Sequence, residues 1–130
     1  MLTIRQAQMQ VFEREARSQF AARLVPHLRK FWCEPCANLS DAQIQQRAWR
    51  AVERATALGF DLEFDVGRFV DLCFLFGEDF PAGKAAGWAP AALEDRSGSP
   101  TERMDRLWKR ARLALAESYA SSAGSGGNRK

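Results

Sequence analysis

The sequence has few of the residues on which enzyme and metal sites depend. Its 130 residues include one histidine, and it contains no glycine-rich phosphate-binding loop and no series of metal-ligand residues. One tyrosine stands against nine phenylalanines and four tryptophans, so the aromatic content is almost entirely apolar. These scarcities disfavour most enzyme classes. We therefore expect a protein that is not an enzyme and that carries no cofactor.

Long hydrophobic runs are also missing. The longest apolar stretch, Phe69 to Phe76, is interrupted by Asp71 and is far too short to cross a bilayer. The first ten residues are polar and periodic, without the apolar run of a secretory signal peptide. We expect a cytoplasmic protein with no membrane partner, and with its three cysteines reduced.

The net charge of +3 conceals a segregation of charge along the chain. Residues 1–60 hold nine Lys/Arg against five Asp/Glu, and residues 81–130 hold the same numbers. Residues 61–80 hold one Arg against six acidic residues. Nucleic-acid binding requires basic residues gathered on one surface, so an acidic centre between basic flanks predicts no nucleic-acid partner.

Helical periodicity covers most of the chain, and no hairpin signal interrupts it. The 46% hydrophobic content suits a soluble globular domain. The sequence predicts an all-α bundle of four main helices and one short helix, forming one domain over residues 1–120. Residues 121–130 are rich in glycine and serine, and we expect them to be a disordered tail.

The apolar stripe of the first helix covers residues 3–32 and contains Pro26, which is expected to kink or break it. The second helix is predicted to begin at Ser40, which forms a capping box with Gln43. Gly59 is placed to end that helix.

The third helix, predicted over Glu63 to Phe76, is apolar on nearly every side and is therefore expected to be central. Gly77 is expected to end it. Asp71 lies inside this apolar helix and needs a partner, for which an arginine of another helix is the natural candidate. A short helix is predicted from Pro90 to about Glu94, and Ser99 caps the last helix.

One alternative function is a thiol or zinc site at Cys33 and Cys36. His27 and Cys73 could complete four zinc ligands if the fold brought them close. However, no strand precedes the pair as in a thioredoxin-like site, and Cys73 is more simply a small core residue.

A second alternative is a small DNA-binding regulator that uses the basic residues of the last helix. These residues are Arg103, Arg106, Lys109, Arg110 and Arg112. Acidic residues interleave with them, which is typical of a solvated helix face.

The carboxylates Asp61, Glu63 and Asp65 are explained by their position at a helix N-terminus, where the helix dipole favours negative charge.

Short blocks over roughly residues 1–115 resemble a family of small helical proteins encoded in bacterial type VI secretion effector clusters. The blocks are Met1 to Arg5 with Gln8, Phe12 and Phe20; Arg68 to Leu72 with Phe74; Phe76 to Phe80; Trp88 and Leu93; and Thr101 to Leu107. The resemblance implies an adaptor or co-chaperone in effector loading. Its implied partner is an effector chaperone, an effector or a PAAR-type spike-tip protein.

The candidate partner-binding segment is the glycine-rich, aromatic and acidic stretch from Gly77 to Trp88. In it, Phe80 and Trp88 are expected to be apolar anchors, with Glu78 and Asp79 as an acidic rim. The alternative is that Phe80 and Trp88 fill the core.

Overall fold

The computed structural model describes residues 14–128, and the side chains of residues 15–120. This part of the chain is helical and contains no strand, which confirms the predicted all-α bundle with four long helices. The helices are α1 (Arg14–Phe31), α2 (Cys33–Cys36), α3 (Asp41–Ala57), α4 (Glu63–Phe76), α5 (Ala89–Glu94) and α6 (Pro100–Asn128), with a 3₁₀ turn at Gly83–Ala85. None of these helices is both long and apolar enough to cross a membrane.

The helix α1 contains Pro26 and continues beyond it to Phe31, so the proline does not end the helix. The predicted residues 3–13 of this helix lie outside the described range. The stretch from Cys33 to Cys36 forms the single helical turn α2. The Cys36 amide donates to the carbonyl of Trp32 over 3.1 Å and closes this turn.

The predicted capping box begins α3. The Gln43 amide donates to Ser40 Oγ over 3.1 Å, and the Ser40 amide donates to Gln43 Oε1 over 2.8 Å. The buried stripe of α3 consists of Ile44, Ala48, Ala51, Val52 and Ala55. Its three alanines are small, which allows α1 to pack closely against it. Gly59, at φ +100°, follows the end of the helix in the conformation that favours glycine.

The bounds predicted for α4 are confirmed, and Gly77 follows it with φ +118°. Seven residues of this helix are buried, as expected for a central helix: Asp65, Val66, Phe69, Val70, Leu72, Cys73 and Phe74. The helix packs against α3 on one side and α6 on another. This packing leaves the side of α4 that faces α1 partly open.

The last helix, α6, begins with a second capping box. The Glu102 amide donates to Ser99 Oγ over 3.1 Å, and the Ser99 amide donates to Glu102 Oε1 over 2.8 Å. Met104, Leu107 and Ala111 form its buried face. The helix continues to Asn128, inside the segment 121–130 for which the composition predicts disorder. That disorder stays a prediction.

Candidate protein-binding surface

Phe80, one of the two predicted anchors, lies in the core and has 0% of its surface exposed. Its ring centroid is 5.4 Å from that of Phe69, 5.8 Å from that of Phe76 and 5.9 Å from that of Trp88. The loop after α4 turns back over this helix because burial of a phenyl ring is strongly favourable. Phe80 is therefore a core residue in this structure, and it is not available as a surface anchor.

Trp88, the other predicted anchor, is partly buried. Its ring packs edge-on against Phe76 at 5.3 Å, and the Arg110 guanidinium lies 5.5 Å from its ring centroid. A shallow groove of about 390 Å³ borders it between α5 and α6. Part of the indole is thus accessible from outside, and partner binding by Trp88 stays a prediction.

The predicted acidic rim is exposed, but half of it is neutralised. The Glu78 carboxylate lies 3.3 Å from Arg50 and 3.6 Å from Arg47. Arg54 donates to the carbonyls of Glu78 and Phe80, over 2.7 and 2.9 Å, and so fixes the loop to α3. No ion pair with Asp79 is found among the described residues, so Asp79 is the more available charge of the two.

The cysteines are all free, and two of the three are buried. Burial raises the pKa of Cys73 to about 12, and burial also raises the pKa of Cys36. The Cys36 thiol lies 3.7 Å from the carbonyl oxygen of Leu28. Reactive and metal-binding cysteines act as thiolates, and burial disfavours that form here. Within the described residues, no three His, Cys, Asp or Glu side chains are grouped as a metal site would require.

Two of the five basic residues of α6 that the DNA-binding alternative would use support the fold. Arg103 is buried and donates to the carbonyl of Leu58 over 3.1 Å, and Arg106 donates to the carbonyl of Ser97 over 2.6 Å. DNA binding requires arginines that are free to reach phosphates. These two arginines are engaged inside the protein, so their geometry lends no support to a DNA-binding face.

The described surface includes an apolar groove between α1 and α4, with a volume of about 340 Å³. We refer to it as the α1–α4 groove. Six of its lining residues are Phe20, Leu24, His27, Phe64, Gly67 and Asp71. Phe64 is 69% exposed at its edge. Phe31, the next residue along the α1 stripe, is 59% exposed and packs against the His27 ring at 4.9 Å.

One end of the groove is built on Asp71. Its Oδ1 accepts hydrogen bonds from His27 Nε2 over 2.9 Å and from Trp32 Nε1 over 2.8 Å. The sequence predicted an arginine as the partner of Asp71, and this prediction is wrong. The two donors come from the end of α1 and the residue that follows it, because the fold sets this part of the chain beside the middle of α4.

Phe64 is held in its exposed position by a charged neighbour. The Arg68 guanidinium lies 4.6 Å from the Phe64 ring centroid and pairs with Asp105 at 2.7 Å and Asp65 at 3.3 Å. Asp65 is fully buried, and its Oδ2 accepts a hydrogen bond from Thr101 over 2.7 Å. Asp65 lies in the first turn of α4, as predicted, and it also links α4 to α6.

The sequence does not predict the groove, because the apolar residues of α1 and α4 that line it follow the pattern of ordinary buried helix faces. The spacing of Phe20, Leu24 and His27 predicts a buried helix face, but not which part of that face a neighbour covers. One available signal was that Phe64 precedes the buried run of α4 and lies next to two acidic residues, which places it at an exposed helix end.

Comparison of the chain with protein-family models, with curated proteins and with solved structures gives no match.

Proposed function

We propose that this protein is a non-enzymatic adaptor that binds another protein through the α1–α4 groove. The observation that carries the proposal is the exposure of two phenylalanine rings, Phe31 and Phe64, one on each helix beside this groove. Most other large apolar side chains of the described chain are buried or partly buried. Exposed aromatic residues that border an apolar groove are typical of protein-binding sites.

The energetics of the surface support the same function. Burial of an exposed phenylalanine side chain contributes about 1.5–3 kcal/mol, so two such rings offer a substantial part of the free energy of a specific complex. Their rigidity also limits the entropy lost on binding, because a phenyl ring has few rotatable bonds.

The resemblance to proteins of type VI secretion effector clusters points to the setting. We propose that the adaptor acts in the cytoplasm, during effector loading, on an effector chaperone, an effector or a PAAR-type spike-tip protein. Trp88 is the competing surface because part of its ring is accessible.

The test is a binding assay between this protein and the purified products of its neighbouring genes. We expect one product to bind the wild type, and Phe64→Ala to reduce its affinity at least about 10-fold. Tyr119→Ala is the matched control because Tyr119 is 71% exposed on the distant part of α6. Loss of binding with Trp88→Ala but not with Phe64→Ala would move the site to the Trp88 surface. Absence of binding to every product would contradict the adaptor function in this setting.

A further inference from the structure

Gly67 occupies a position in α4 at which the fold does not require glycine. Glycine is, after proline, the least favourable residue inside a helix. Gly67 is not among the residues with positive φ. Among the described residues, and apart from its chain neighbours and its own helix backbone, the nearest atom to a Cβ added at Gly67 is Phe20 Cζ at 3.9 Å, an ordinary contact distance. A methyl group would therefore fit beside them, so the packing of the described residues does not account for this glycine.

The position of Gly67 suggests a reason for the glycine. The residue lines the α1–α4 groove between Phe64 and Asp71. A glycine in a groove wall allows another backbone or a large side chain to approach closely, which any longer side chain would prevent. The missing side chain is thus useful to a molecule that enters the groove.

The dimensions of the groove suit a helix. Along α1, the residues Phe20, Leu24, His27 and Phe31 follow the spacing i, i+4, i+7 and i+11. At 1.5 Å per residue the part of this stripe that lines the groove, Phe20 to His27, extends over about 10 Å. Phe31, beyond the end of the groove, extends the apolar stripe to about 16 Å, about three helical turns. Two helices that present an apolar groove of this length commonly bind the apolar face of a third helix.

The charge at the end of the groove specifies the occupant further. Both hydrogen bonds to Asp71 reach Oδ1, and no hydrogen bond or ion pair from any described residue reaches Oδ2. The two other charged residues that line the groove are already paired, Glu63 with Arg23 at 2.8 Å and Arg68 with Asp105. A basic side chain of the occupant would therefore find its charge complement at Asp71.

We propose that the α1–α4 groove binds an amphipathic helix of the partner protein, with apolar residues against Phe31 and Phe64 and a lysine or arginine against Asp71. Gly67 is the point of closest approach. This inference rests on the proposed adaptor function and specifies its partner.

The probe is a display library of peptides of about 18 residues, five turns of helix, with leucines fixed at i, i+4 and i+7 and the other positions random. We expect selection on the wild-type protein to enrich peptides with a lysine or arginine at one fixed distance from the leucines. Gly67→Leu and Asp71→Asn should each weaken the enriched peptides at least about 10-fold. The asparagine keeps one acceptor oxygen for His27 and Trp32, and it replaces the other, charged carboxylate oxygen with an uncharged amide group.

Gly87→Leu is the matched control for the α1–α4 groove. Gly87 lies in the loop before α5, beside the separate Trp88 groove, and no atom of the described residues lies within 4 Å of a Cβ added there. This variant should bind the peptides as the wild type does.

Gly67→Ala separates an effect on binding from an effect on folding. It should raise the melting temperature by a few degrees and still weaken peptide binding. Equal binding by wild type and both Gly67 variants would overturn the proposal, and so would enrichment of peptides without a basic residue.

The outcomes also separate this inference from the adaptor function. If a neighbouring gene product binds through Phe64 and Gly67→Leu does not lower its affinity, the adaptor function stands. The proposal that the partner binds as an amphipathic helix is then overturned. Peptides that bind as expected, with no gene product bound, would support the helix-binding groove and contradict the adaptor function in this setting. A concentration-dependent dimer in sedimentation experiments that Gly67→Leu abolishes would assign the groove to a second copy and overturn the partner helix.

Discussion

At the scale of single residues, Phe80 and Phe64 have opposite surroundings. Phe80 contacts three other aromatic rings and has no accessible surface, while Phe64 lies against one guanidinium and is largely open to solvent. Both follow acidic residues in the sequence, so local composition does not distinguish them. The difference arises because the loop after α4 returns to the core, while α4 begins at the surface.

This contrast predicts different losses of stability. Phe80→Ala should lower the free energy of unfolding by about 3–5 kcal/mol, because it leaves a cavity among packed rings. Phe64→Ala should change it by no more than about 0.5 kcal/mol, because exposed positions contribute little. Urea denaturation of both variants measures this. Equal losses for the two variants would contradict the assignment of Phe80 to the core and Phe64 to the surface.

The cysteines give a second prediction at this scale. A thiol reagent at pH 7.5 should label Cys33 quickly and leave Cys36 and Cys73 unmodified, because burial raises the pKa of both of the latter thiols. All three should react in denaturant. Mass spectrometry of the labelled protein and its peptides gives the number and positions of the labelled cysteines. Rapid labelling of Cys73 in the native state would contradict its burial.

Raised pKa values also set the direction of a pH effect. The Cys73 thiol has a pKa of about 12 in the folded protein against an ordinary value of 9.0, so its contribution to stability is fully present below pH 9 and is lost as pH rises toward 12. Cys73→Ala should show a shallower decline of stability across this range in alkaline denaturation. A decline as steep as that of the wild type would exclude Cys73 as its source.

At the scale of secondary-structure elements, helix ends were the most predictable feature. Ser40 and Ser99 each satisfy a free amide at a helix N-terminus, and this chemistry is local enough to be predicted from four residues of sequence. The turn α2 was not predictable in this way. It contains Pro35, which is tolerated in the first turn of a helix but does not by itself indicate one.

The caps should make a measurable contribution. Ser40→Ala and Ser99→Ala should each lower the free energy of unfolding by about 1 kcal/mol, because each leaves an amide without its acceptor. Ser118→Ala, on the exposed face of α6, is the control and should have almost no effect. Thermal unfolding of the three variants measures the difference, and no loss with either cap variant would contradict the capping-box geometry.

At the scale of the whole molecule, the segregated charges of the sequence meet in space. Acidic residues of α4 and of the loop after it pair with basic residues of α1 and α3, as in Arg23 with Glu63 at 2.8 Å and Arg50 with Glu78 at 3.3 Å. The acidic centre is therefore largely neutralised by ion pairs within the protein, and the two pairs named here are exposed. It does not form the separate acidic surface that the sequence suggested around Glu78.

The same long-range pairing explains why the bundle was predictable and the groove was not. Periodicity determines which face of each helix is apolar, and this was enough for the all-α fold and for the bounds of α4. It does not determine which helices meet. His27 and Asp71 are 44 residues apart, and only the packing of α1 beside α4 makes them partners.

The most direct test of the central claim is a calorimetric titration of the bound gene product into three forms of this protein. These are the wild type, the double variant Phe31→Ala/Phe64→Ala, and the control Leu113→Ala/Tyr119→Ala, whose side chains are also exposed but lie on α6. We predict that the groove variant loses at least about 30-fold in affinity, equivalent to about 2 kcal/mol, while the control binds like the wild type. Equal affinity for the groove variant and the wild type would contradict the claim that this groove is the binding surface.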